Sequence, residues 1–107
     1  MIVNNTHQKI DALREIMPEG FVFVLDTTDR SFIYKSKNSP DCEQFVISLD
    51  QVYGIDGLTK DQNSYTHHDE KTIIKLQKIG GNTYLGICTS NDNNSLEKLS
   101  LAENYIK

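Results

Sequence analysis

An α+β domain is what this sequence predicts, on three observations. Apolar residues recur at helical spacing only towards the two ends of the chain. Between them lie short runs rich in β-branched and aromatic residues, separated by turn chemistry. No stretch between successive runs has the length and periodicity of a helical crossover, so the sheet should be mainly antiparallel. The expected architecture is a five-stranded sheet with an N-terminal and a C-terminal helix packed on it. The chain has 107 residues, which suits a single domain spanning 1–107.

The first helix opens at Asn5-Thr6-His7-Gln8, where Asn or Thr accepts from free amides and Gln8 reaches back as a capping-box partner. Ile10, Leu13, Ile16 and Met17 then share one face. Met17-Pro18-Glu19-Gly20 ends it, because the residue before proline avoids the α region. Phe21 to Leu25 (FVFVL) is apolar on both alternating faces and predicts a central strand covered on both sides. Asp26 to Arg30 has hairpin-loop chemistry, and Ser31 to Lys35 should pair back. Ser36 to Cys42 reads as a polar loop.

Phe45, Ile47 and Leu49 alternate with Val46 and Ser48, which predicts a third strand. Residues 51–70 are ambiguous: QVYGIDGL could extend that strand or form a short one, while the rest has no period and reads as a long connection, with SYTHHDEKT (64–72) as a wet, mobile approach to the next strand. Structureless connections of that length are uncommon in compact domains and are usually functional or disordered. Thr72, Ile74 and Leu76 give the fourth strand, Gly80-Gly81-Asn82 a tight turn, and Tyr84 to Cys88 the fifth. Asn94-x-x-Glu97 resembles a capping box for a last helix whose stripe is Leu96, Leu99, Ala102 and Ile106, flanked by Leu101 and Tyr105.

Eleven basic residues against fifteen acidic ones leave a net charge of −4. That balance argues against nucleic acid, whose nonspecific binders carry a clear basic excess, although Lys71, Lys75 and Lys78 with Lys35 and Lys37 would form a patch if the sheet gathered them. No run of about 18 apolar residues exists to span a bilayer, and the N-terminus lacks signal-peptide character. A cytoplasmic protein is expected; Cys42 and Cys88 show no C-x-x-C spacing, and although the pair could form one disulfide, a non-secreted chain is expected to keep both reduced.

His67-His68-Asp69-Glu70 is the sharpest chemical cluster. Zinc needs three or four converging ligands, and adjacent residues of an extended chain point to opposite sides. No metal and no cofactor is therefore expected there. A catalytic histidine needs an orienting partner and a dry pocket, and His68 beside Asp69 supplies a partner only in sequence. Cys42 follows Pro40-Asp41 with no nucleophile motif, while Cys88 reads as a core residue. The acidic residues of the connection do not match a calcium loop.

The sequence thus points to a small, acidic, soluble protein-binding module of the inhibitor, immunity-type or adaptor kind. It would act by direct contact with a partner protein and without catalysis. Its expected contact residues are Tyr53, Asp61, Tyr65, His67, His68, Asp69 and Glu70. The alternative is a small-ligand sensor with a pocket between sheet and helices. Behind that stands a metal-dependent enzyme using His67 and His68.

Overall fold

A computed structural model describes residues 4–102 of the chain, with side chains from Thr6 onwards. Helix α1 (Asn4–Ile16) leads into strands β1 (Phe21–Asp26) and β2 (Ser31–Lys35). Helices α2 (Pro40–Tyr53) and α3 (Ile55–Leu58) follow, then β3 (Ser64–His68), β4 (Thr72–Lys78), β5 (Thr83–Ser90) and α4 (Asn93–Ala102). The strands form one sheet in the order β2-β1-β5-β4-β3, and every neighbouring pair is antiparallel. The α+β architecture with a five-stranded antiparallel sheet and end helices packed on it is as expected.

Both faces of the sheet are covered. On one, α1 (Ile10, Leu13), Met17 just beyond it, and α4 (Leu99, Ala102) pack over Val22, Val24, Ile73, Leu85 and Ile87. On the other, α2 (Val46, Leu49) and α3 (Ile55) pack over Phe21, Phe23, Leu25, Ile74, Leu76, Tyr84 and Cys88. The two-faced apolar run of β1 is explained by this double cover. At the centre Phe23 and Leu76 pair with Gly86 from either side. A Cβ on Gly86 would stand 2.4 Å from Phe23 Cζ and 2.8 Å from Leu76 Cδ2, so only glycine leaves room for that ring.

Residues 45–49, expected as the third strand, lie instead within α2. Ser39 stands at the N-cap position, Pro40 is in the first turn with Asp41 and Glu43, and Gly54 closes the helix at φ +74°. Proline and acidic residues favour a helix start, and glycine alone adopts that φ without strain. Cys42, Phe45, Val46 and Leu49 recur at i, i+3, i+4 and i+7 and form its sheet-facing stripe. Five residues of apparent alternation were outweighed by fourteen of helical period.

The strand count survives because Ser64–His68, expected inside a loose connection, forms β3. Its polar face is simply the solvent face of an edge strand. At the opposite edge, the register of β2 slips against β1 between Val24 and Leu25, leaving Ile33 as the extra residue. That slip sends Phe32 to the α2 face and Tyr34 to the α1 face, although they are two positions apart.

The α4 helix begins two residues earlier than Asn94-x-x-Glu97 suggested. The Asp92 carboxylate accepts the Ser95 amide at 2.8 Å, and Leu96 remains 48% exposed beside the buried Leu99 and Ala102. Tyr105 and Ile106 lie outside the described residues.

Candidate interaction surface

Strand β3 forms one open edge of the sheet. Two flanking bonds, Lys78 N to Asn63 O (2.7 Å) and Asp69 N to Thr72 O (3.0 Å), set the phase of the β3–β4 ladder. Pairs Tyr65↔Leu76 and His67↔Ile74 then take hydrogen-bonded positions. The backbone groups of Ser64, Thr66 and His68 face outward, unpaired within the sheet. The register runs through all five residues without a slip.

Tyr65 and His67 share the face covered by α2, and the helix meets them with Phe45 and Tyr53, which are two turns apart. Ring centroids lie 5.9 Å apart for Phe45–His67, 6.4 Å for Tyr53–His67 and 6.5 Å for Tyr65–His67. His67 is the hub of that cluster. Beside it, at the last turn of α2, Val52 and Tyr53 are 70% and 62% exposed. An open strand edge and an exposed aromatic and aliphatic patch therefore adjoin.

Of the seven residues expected to make contact, Tyr53, Tyr65 and His67 are brought together. His68 points to the other face, where it borders a groove with Ile73, Leu96 and Leu99. Asp69 is occupied in the β3–β4 turn, where its carboxylate accepts the amides of Lys71 and Thr72, both at 2.8 Å. Those two amides hold its pKa below the usual aspartate range. Glu70 is exposed at the same turn, and Asp61 is exposed in the connection from α3 to β3. Phe45 and Val52 were not anticipated, because a strand reading of 45–49 hides a helix end. The signal that finds them is Ser39-Pro40 with Gly54, the two caps of a fourteen-residue helix.

Among the described residues, no group of three or more His, Cys, Asp and Glu side chains is placed to hold a metal ion. A cavity of about 510 Å³ opens at the rim between α1 and the segment after β2, lined by Asp11, Arg14, Glu15 and Lys37 among others. It is open and largely polar, unlike the enclosed apolar pocket between sheet and helices that a sensor would use.

Behind the surface, two polar groups hold the helical layer in place. Asp50, 6% exposed, accepts Arg30 Nε at 2.7 Å and the Ile55 amide at 2.8 Å. The buried Tyr84 hydroxyl donates to Asp56 Oδ1 at 2.7 Å and bonds the Thr59 hydroxyl at 2.9 Å. Burial is the main reason that its pKa rises to about 12.

With strand order, helix placement and covered faces in view, the architecture finds counterparts among solved structures. The chain is similar in fold to MglB. Myxococcus xanthus MglB aligns with a TM-score of 0.59 at 16% identity, over 98% of this chain and 94% of that one. A structure titled MglB with tetrameric arrangement aligns at 0.57 and 14% identity, over 97% and 85% of the two chains. The gliding protein MglB from Thermus thermophilus aligns at 0.54 and 13%, over 97% and 86%. At such identities the likeness to MglB is one of fold. No protein-family profile and no curated protein matches the sequence. Among the described residues, no helix is long and apolar enough to cross a membrane.

Proposed function

We propose that this chain is a non-catalytic protein-contact module whose docking surface is the β3 edge together with the C-terminal turn of α2. The observation that carries the reading is the adjacency of an unbroken, unpaired strand edge to the exposed pair Val52 and Tyr53. A strand added to such an edge gains main-chain hydrogen bonds, and the neighbouring side chains supply selectivity. Tyrosine suits that role because its ring packs while its hydroxyl keeps a polar partner.

The first occupant to consider is a second copy of the chain. MglB of this fold has been described in a tetrameric arrangement, so assembly between copies is compatible with the architecture. A partner of different sequence would use the same surface. Inhibitor, immunity-type and adaptor roles all require it, and the identity of the captured protein would distinguish them.

The test is sedimentation velocity and light scattering of the purified chain across the micromolar range, combined with capture from source-cell lysate. Thr66→Pro, which removes an outward amide, and Tyr53→Asp should each abolish association while leaving the fold intact. A chain that stays monomeric and retains no stoichiometric protein would sink the proposal. So would association that both variants leave unchanged.

A further inference from the structure

The two cysteines, which the contact surface does not use, meet in space. Cys42 sits in the first turn of α2 and is half-buried. Cys88 lies on β5, paired with Phe21 and Ile74, and is 1% exposed. Cys42 packs against the core cluster that contains Cys88. Both line an open cavity of about 220 Å³, together with Lys37, Lys71 and Thr72.

We propose that Cys42 and Cys88 are a peroxide-responsive thiol pair that closes an intramolecular disulfide, stapling the first turn of α2 to the central strand. The asymmetry of the pair sets the order of events. Both thiols border the cavity, but Cys42 is half-buried and Cys88 only 1% exposed, so a small oxidant meets Cys42 first. Burial raises the pKa of Cys88, with Cys42 adding to the effect, so Cys88 stays protonated and inert towards bulk oxidant.

The Cys42 sulfur, as thiolate, attacks one oxygen of hydrogen peroxide. The O–O bond breaks, hydroxide leaves and is protonated to water, and Cys42 becomes a sulfenic acid. The Cys88 sulfur then attacks the Cys42 sulfur. The S–S bond forms, the S–O bond breaks, and the departing hydroxide takes the Cys88 proton as a second water. Two thiols lose two electrons and one peroxide gains them. A dithiol reductant reverses the step by exchange.

The product links residues that are distant in the chain, so the unfolded state loses much of its freedom. The melting temperature should rise by roughly 5–15 °C.

The test treats the dilute full-length chain with hydrogen peroxide, denatures and alkylates it, and maps its peptides. The expected result is one crosslinked peptide joining Cys42 to Cys88, no alkylation of either residue, and a higher melting temperature that dithiothreitol returns to its starting value. Cys42→Ser should leave Cys88 reduced and the melting temperature insensitive to peroxide. Three outcomes overturn the proposal: Cys42 overoxidised while Cys88 remains alkylatable, crosslinks only between chains, or a disulfide that forms in urea and not in native buffer. Because monomers and assemblies are both readable by mass, the result stands independently of the β3 contact surface.

Discussion

At one end of the sheet, β2 carries a bulge at Ile33, and Lys35 reaches across to Glu43 of α2 at 3.1 Å. At the other, β3 pairs with β4 in unbroken register, and its outward backbone groups lie beside Val52 and Tyr53. Natural sheets protect their edges with bulges, lysines and covering elements. The β2 edge shows the first two, whereas β3 has neither a slipped register nor a lysine among its five residues. The two edges therefore differ in protection: β2 is guarded, and β3 is left open.

That contrast holds only while both edges hang on a rigid centre, and the largest predicted effect removes it. Gly86→Ala would force a Cβ into the Phe23 ring and should cost about 3 kcal/mol, read from the urea midpoint. Phe23→Leu in the same chain should recover part of the loss. An unchanged midpoint for the single variant would mean that the packing at the centre is looser than described.

Next in size is the anchor on the β2 side. Asp50→Ala deprives Arg30 and the Ile55 amide of their shared acceptor and should cost about 2 kcal/mol. The loss should fall on the hairpin joining β1 to β2 and on the start of α3. Hydrogen exchange accelerated there, with β3 amides little affected, would sharpen the distinction between the edges. Uniform acceleration would erase it.

The Tyr84 phenol tests the tether of α3, from which the chain runs on to β3. Its pKa stands near 12 in the folded protein, against an ordinary value of 10.0. Below pH 10 the phenol is neutral whether folded or unfolded, and stability is unaffected. Between pH 10 and 12 the unfolded chain releases the proton while the native state keeps it. Stability should therefore fall with rising pH across that window, by up to about 2 kcal/mol. Tyr84→Phe should flatten this component of the titration, and equal slopes for the two proteins would refute it.

The smallest change in stability accompanies the test of contact itself. Tyr53→Ser, at a position 62% exposed, should alter stability by less than about 0.5 kcal/mol. It should nevertheless weaken association about tenfold or more. Ile33→Lys on the opposite edge should change neither. If both variants weakened association equally, the contrast between edges would be lost.

Much of this arrangement is legible in the sequence, and the misread segments share one cause. The FVFVL run announces a doubly covered strand because its every residue is apolar. Gly80-Gly81-Asn82 and Met17-Pro18-Glu19-Gly20 mark chain reversals through their backbone preferences. Residues 45–49 satisfied strand and helix periods at once, so the decision lay in the flanks, at Ser39-Pro40 and Gly54. Misplacing that helix had a second consequence. Without it, Tyr65 and His67 had no apolar neighbours, and SYTHH looked like loop. An edge strand with a polar outer face announces itself only through the partner that covers its inner face. Of the residues singled out for their chemistry, the structure groups Tyr53, Tyr65 and His67. Separating them from His68 and Asp69 required knowing which way each side chain faces.

The pairing of β1 with β5, with Phe21 opposite Cys88 and Asp26 opposite Thr83, also bears on how the chain assembles. The β1–β2 hairpin closes over a short loop, and so does the run from β3 through β4 to β5. The β1–β5 junction alone joins strands more than fifty residues apart, with the helical layer strung between them. Bringing its two sides together carries the largest loop-closure entropy in the sheet, so it should be the slow, late event of folding. Gly86 and Cys88 lie on that seam. The chain can thus be viewed as two locally formed halves zipped along one line, and the rate of closing that zip would govern how long unpaired strand edges stay exposed to other chains.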